Sequence, residues 1–253
     1  MPLALALVTA GLCWTAAAGA VSDPGLVVIP RPAAGTSLSY FKLLLHPGSK
    51  RQAGTLELHN PTGRTARVAL AAVAGQTLDT LGSAYAPPGS KANGPTRWLR
   101  VARQRVTLTP GATVAVPVSV AVPREALPGD YLTGVSIEAL DQRQSVARRG
   151  VSIASVERYA IGVETSLPGP RHPAIKFIGA RLRRQPAGLT FLLDAHNTGN
   201  VILQGVHGGV RITRARHTIL HRLIEPGTFV TDTRIAYPVP AFGRLPPRGR
   251  ATV

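Results

Sequence analysis

The chain has 253 residues, of which 29 are Lys or Arg and 12 are Asp or Glu, a formal net charge of +17. With 44% apolar and only 16% charged residues, it is too rich in core-forming side chains to be a disordered polyelectrolyte. A single Cys excludes an internal disulfide and a cysteine-rich zinc site, and 26 Gly with 22 Pro suit short strands and turns better than a helix bundle.

Residues 1–20, MPLALALVTAGLCWTAAAGA, are uncharged and finish in the small-residue run Ala16-Ala17-Ala18-Gly19-Ala20. An apolar stretch closed by small residues reads as a signal peptide, cut before Val21. It lacks the basic residue that ordinarily precedes such a stretch. The competing reading is a membrane anchor, for which the apolar run is short. Cys13 does not mark a lipidation site, because the bulky Leu12 precedes it. Cleavage removes the only Cys, the only Met and Trp14, and leaves the whole positive charge on the exported chain. Its cores must then be held by apolar packing alone. No later apolar run approaches the roughly 18–20 residues of a membrane span.

Short apolar runs then recur between Leu26 and Leu167. A strand is predicted over Ser39–Leu45, stopping at His46-Pro47-Gly48-Ser49. Gly54–His59 alternates with period two and meets the turn Asn60-Pro61-Thr62-Gly63, where Pro presets φ and Gly accepts φ > 0. Further strands are expected over Arg64–Ala74, into Val106–Thr109, and over Thr113–Val122, whose Pro117 predicts an edge strand. Gly129–Glu138 and Gly150–Val163 complete about seven strands with no amphipathic helix, the pattern of a β-sandwich. The Pro-rich Leu167–Pro173 reads as a linker. Beyond it, strands are predicted over Ile175–Leu182, Leu189–His196, Val201–Thr213, His217–Ile224 and Thr228–Tyr237.

Both halves contain a strand ending in His-Asn, a short Gly-containing turn and a second strand, at His59-Asn60 and at His196-Asn197. The reading is all-β: two tandem immunoglobulin-like β-sandwiches. Residues 1–20 form the signal peptide, 21–167 the first sandwich, 168–173 the linker and 174–253 the second sandwich. About five strands are found in the second where about seven are usual, so it is expected to be truncated.

The first sandwich resembles the WxL-interacting-protein peptidoglycan-binding domain, also described as a domain of unknown function of Gram-positive surface proteins. The phrases that carry the resemblance are Ser39-Tyr40-Phe41-Lys42-Leu43 with Pro47-Gly48, and the strand Gly54 to Asn60. Trp98-Leu99 followed by Val106–Gly111, the valine-rich Val114–Pro123, and Pro128-Gly129-Asp130-Tyr131 with Gly134-Val135 continue it in order. The resemblance covers roughly residues 25–165. It implies peptidoglycan binding by the first domain and a protein partner for the second. It also implies a C-terminal membrane anchor, which this chain does not show. The Ala, Arg, Gly and Pro bias resembles that of a high-GC, actinobacterial version.

No convergent acid, base and nucleophile set is visible, so the chain is read as a non-enzyme without cofactor or metal. His217 and His221 would share a helical face, but Thr-Ile-Leu between them reads as strand. The Gly-Val-Ser phrases at 134–136 and 150–152 lack the second Gly of a nucleophile elbow. Charge is the clearer signal: residues 166–253 hold 13 basic and three acidic residues. Arg181-Leu-Arg-Arg184 and Arg211-Ile-Thr-Arg-Ala-Arg216 are local clusters. Nucleic acid is excluded as partner by the leader and by the lack of interleaved aromatics. Outside the cell, peptidoglycan and anionic wall polymers are the fitting polyanions.

As a ligand-binding set the sequence offers Tyr85, Arg97, Trp98 and Arg100, an aromatic beside two guanidinium groups; the competing role for Trp98 is a core tryptophan. Two functions follow. The first is a non-catalytic secreted or cell-surface protein of a Gram-positive envelope, bound to the wall and to a surface partner. The second is a structural, chaperone-like adaptor that takes a partner strand by β-augmentation, with Thr113–Val122 as the receiving edge.

Overall fold

The computed structural model describes residues 25–33, 39–92, 94–148, 151–185, 188–214 and 217–241. The leader reading for 1–20 and the basic residues Arg216, Arg248 and Arg250 lie outside them. The first module contains β1 (Val27–Pro32), β2 (Phe41–Leu44), β3 (Lys50–His59), β4 (Ala66–Thr77), β5 (Ser83–Tyr85), β6 (Leu99–Val101), β7 (Arg105–Leu108), β8 (Thr113–Ala121), β9 (Gly129–Arg148) and β10 (Val151–Leu167). A 3-10 turn over Pro95–Trp98 precedes β6. The second contains β11 (Ile175–Gln185), β12 (Gly188–Asn197), β13 (Leu203–Arg214), β14 (His217–Phe229) and β15 (Arg234–Ala241).

The first module is an immunoglobulin-like sandwich of one sheet in the order β1-β3-β8-β6 and a second in the order β2-β10-β9-β4-β5, with β7 also on β4. Period-two alternation explains the faces. Leu56 and Leu58 of β3 and Val116, Val118 and Val120 of β8 point inward, against Val135, Ile137 and Ala139 of β9 and Val163 of β10. Each such side chain, fully buried, contributes about 1.5–3 kcal/mol relative to exposure. In the second module β11-β12-β15 face the hairpin β13-β14, closing over Leu193, Ala195, Ile212, Phe229 and Val239.

The repeated His-Asn phrase is a repeated structure. Asn60 is fully buried; its Nδ2 donates to Arg64 O (2.8 Å) and Leu108 O (3.0 Å), and its Oδ1 accepts from Thr62 N (3.1 Å). Asn197, equally buried, donates to Val201 O (3.0 Å) and Phe229 O (2.9 Å) and accepts from Gly199 N (3.0 Å). Main chains follow suit. Gly111 N donates to Asn60 O (2.8 Å) and Asp232 N to Asn197 O (3.0 Å). Gly111 (φ 72°) and Asp232 (φ 55°) hold the same left-handed turn, which Gly and Asp tolerate best. The correspondence pairs β3 with β12, β4 with β13, β8 with β15 and β1 with β11.

Two expected elements differ. The strand predicted over Thr228–Tyr237 is broken: Phe229 ends β14, the chain reverses at Asp232, and β15 begins at Arg234. Thr113–Val122 is not simply an edge. β8 lies between β3 and β6, with Leu99–Val101 covering Val118–Val120. Pro117 O accepts from Ala102 N (3.0 Å), so its ring nitrogen faces the side where β6 stops and no donor is needed.

Candidate functional site: open strand edges and the cleft between modules

Strand edges are what this all-β chain has to offer, and those of β1 and β8 are blunted by proline. Ala33 N donates to Ala53 O (3.0 Å), which turns the odd-numbered residues of β1 towards β3. The even-numbered ones, Pro30 and Pro32 included, face the free edge without an N–H. On β8, Pro117 removes the outward donor next to β6. Proline on an edge prevents further pairing.

β10 is different. Its inner side pairs with β9 from Val151 to Leu167. Its outer side pairs with β2 only over Val163–Ser166, in parallel. Among the described residues no strand pairs with that side from Val151 to Gly162, roughly 40 Å of backbone at about 3.3 Å per residue. The direction of the groups follows from the β2 pairing. Leu45 N donates to Ser166 O (3.0 Å), so Ser166 faces outward, and by alternation so do Gly162, Ala160 and Arg158. Tyr159, Ile161 and Val163 carry their side chains into the core. The opposite face of the strand is polar. Arg158 pairs with Glu138 (2.8 Å) and Lys42 with Glu164 (3.1 Å). The hydrogen bond and charge of Glu164 raise the Lys42 ammonium above its usual range.

Tyr85 lies across this sheet, over the cross-strand pair Gly134 and Gly162. A Cβ at Gly134 would come within 2.7 Å of the Tyr85 ring, so the two glycines form a slot that only they permit. Burial raises the Tyr85 hydroxyl's pKa, with smaller contributions from the Glu164 charge and Tyr40. The other members of the sequence-derived set sit elsewhere in role. Trp98 is 9% exposed and meets Tyr131 edge-on, with ring centroids 4.6 Å apart at 62°. It is built into the first core. Arg97 and Arg100 are exposed, and an Arg100 guanidinium nitrogen donates to Arg97 O. The structure therefore gives Trp98 the core role.

The modules meet in a cleft of about 540 Å³ lined by Leu127, Pro128, Asp130, Tyr131, Asn200 and Thr231 among others. Asn200 Nδ2 donates to Pro128 O (3.0 Å) and Pro170 O (2.9 Å), and its Oδ1 accepts from His172 N (2.7 Å). Asp130 accepts from Ser166 Oγ (2.7 Å), Arg171 Nη1 (2.6 Å) and Ile202 N (3.2 Å). Thr77 Oγ1 accepts from Val230 N (2.9 Å). Leu81, at φ 63°, packs into the second core beside Phe229. The polar groups of the cleft hold one another and the two modules. Sequence reasoning missed this latch because its partners lie far apart in the chain, as Thr77 and Val230 do.

Among the described residues no group of His, Cys, Asp or Glu is placed to hold a metal ion. His217 and His221 lie in a strand, β14. No helix among those residues is long and apolar enough to cross a membrane.

No family model and no curated protein matches this chain. Solved structures do. The CsuC–CsuE chaperone–tip adhesion subunit pre-assembly complex of Csu pili from Acinetobacter baumannii is 12% identical, over 89% of this chain and 90% of that one, at a TM-score of 0.46. The E. coli chaperone DraB is 12% identical over 80% and 84%, at 0.37. The CupB2 chaperone of Pseudomonas aeruginosa is 9% identical over 76% and 82%, at 0.35. These are loose likenesses of immunoglobulin-like architecture.

Proposed function

We propose that the chain is a non-catalytic, chaperone-like adaptor that takes an extended segment of a partner protein onto the outer edge of β10. The observation that carries this is the contrast among edges: β1 and β8 are closed by proline, whereas among the described residues no strand lies along the outer side of β10 over residues 151–162. A long edge left open is an aggregation hazard unless it is used. Backbone hydrogen bonds would supply affinity without demanding one sequence.

The test uses random 12-residue peptides displayed on phage and selected on the full chain. Selected peptides are expected to protect the outward amides of Arg158, Ala160 and Gly162 from hydrogen exchange. Ala160→Pro removes one outward donor and leaves the β9 pairing intact, so it is expected to abolish binding with an unchanged circular-dichroism spectrum. Peptides that protect other strands, or that bind the proline variant equally well, would refute the proposal.

The net charge of +17 supports a second reading, attraction to peptidoglycan or an anionic wall polymer in the cell envelope. Such binding weakens as salt shortens the screening length towards about 8–10 Å. Cosedimentation with purified walls across a salt series tests it, and a chain left wholly in the supernatant at low salt removes it.

A further inference from the structure

The stretch from Arg97 to Arg105, RWLRVARQR, carries four arginines in nine residues and no acidic side chain. All four are exposed. Four other cations of the first module are held by carboxylates: Arg31 by Glu57, Lys42 by Glu164, Arg67 by Asp141 and Arg158 by Glu138. Among the described residues no carboxylate pairs with Arg97, Arg100, Arg103 or Arg105. Guanidinium groups without counter-charges repel one another, and an anion bound among them relieves that repulsion.

The fold sets where they stand. Leu99 and Val101 of β6 pack into the core, so Arg100 between them points off the outer face of the β1-β3-β8-β6 sheet. Val106 and Leu108 of β7 pack into the same core, so Arg105 points off the outer face of the other sheet. Arg103 lies on the crossing between them. The crossing is fastened at both ends: Ala102 N donates to Pro117 O (3.0 Å) and Leu70 N to Gln104 O (2.8 Å). Arg100 Nη1 donates to Arg97 O and to Leu99 O (3.3 Å), which lays its guanidinium beside the turn that carries Arg97. The four charges form a row that bends around one margin of the sandwich, from face to face, on backbone that both sheets hold.

The bend selects the ligand. Packed sheets stand about 10 Å apart, so a flat lipid surface meets one end of the row at a time. A flexible chain of phosphates follows the whole row, and guanidinium forks match phosphate oxygens. Trp98, the only aromatic side chain of the stretch, is built into the core, so the row offers no ring on which a nucleic-acid base could stack.

We infer that Arg97, Arg100, Arg103 and Arg105 are a binding row for a base-free phosphodiester polymer, a chain of polyol or sugar phosphates. The inference rests on the second reading above, attraction to an anionic wall polymer, and gives that attraction a place on the β6–β7 margin, across the sheet from the β10 edge.

The probe is fluorescein-labelled poly(glycerol phosphate), titrated with the full chain and followed by anisotropy. Saturable binding is expected at low salt, weakening as salt rises. Replacing all four arginines by Gln should weaken it at least about tenfold, the sum of several exposed ion pairs. Each arginine is exposed, so the circular-dichroism spectrum should not change. Arg103→Gln with Arg105→Gln leaves the Arg100 hydrogen bonds alone and should weaken binding several-fold. Lys50→Gln, Arg51→Gln, Arg124→Gln and Lys176→Gln together remove the same charge from other exposed positions and should leave most of the binding. Phosphatidylglycerol vesicles and oligothymidylate should bind more weakly than the polymer at equal phosphate. Equal losses in the two fourfold variants, or tighter binding of vesicles or oligothymidylate, would overturn the inference and leave the second reading standing. A parent chain that leaves the polymer unbound at low salt removes both.

Discussion

The two modules share a keystone and differ in what it holds. Asn60 and Asn197 make the same three side-chain bonds at the same place in each sandwich. Around Asn60 a continuous core runs through both sheets. Around Asn197 the core splits into two small clusters, and Phe177 and Leu182 remain in solvent. Local chemistry can therefore set the register of a sandwich without filling it. In the first module β4 has β7 on one side and β9, followed by β10, on the other; among the described residues of the second module β13 pairs with β14 alone.

The largest expected effects come from the keystones. Asn60→Ala and Asn197→Ala each strip partners from buried carbonyls and are expected to cost about 2–4 kcal/mol, as unsatisfied buried groups do. By calorimetry Asn197→Ala should lower an earlier transition and Asn60→Ala a later one. If both shift a single transition by the same amount, the modules unfold as one unit and the contrast between their cores has no energetic meaning.

Next comes the slot under Tyr85. Gly162→Ala or Gly134→Ala forces the ring off the sheet and should cost about 1–3 kcal/mol through overpacking. Adding Tyr85→Ala to either variant should recover part of the lost melting temperature. No recovery would mean that the glycines serve the backbone and not the ring.

The smallest effect belongs to a surface pair of the first module. Arg67 donates to Asp141 Oδ1 (2.6 Å), and its side-chain and backbone hydrogen bonds hold the Asp141 carboxyl below its ordinary range. A carboxyl lowered on folding stabilises above its unfolded value and loses that contribution as pH falls through the folded one. Asp141→Asn should thus cost a little melting temperature at neutral pH and nothing once acid has protonated the parent. A variant that is equally destabilised in acid would show that the loss is one of packing.

Much of this was legible in the chain. Strand alternation, the turn at Asn60-Pro61 and the repeated His-Asn phrase are local, and they led to the all-β tandem reading. The open edge was not legible, because it depends on how far β2 reaches along β10, a pairing between residues more than a hundred positions apart. β6 was missed for a related reason: three residues after a 3-10 turn carry no periodicity, yet they pair with a third of β8, over Val118–Val120. Trp98 was ambiguous from sequence because flanking arginines suit a ligand site as well as a core rim; Tyr131, which decides it, comes from β9. The set Tyr85, Arg97, Trp98 and Arg100 shares a stretch of chain; the structure places Tyr85 over Gly134 and Gly162, Trp98 in the first core, and Arg97 and Arg100 at the surface.

The central claim is that β10 keeps its outer edge open for a partner strand. Residue-resolved amide exchange on the full chain tests it most directly. Ile161 and Val163, whose N–H groups face β9, should exchange slowly, while Arg158, Ala160 and Gly162 should exchange quickly and become protected only when a selected peptide is added. Slow exchange at those three amides in the chain alone would contradict the account.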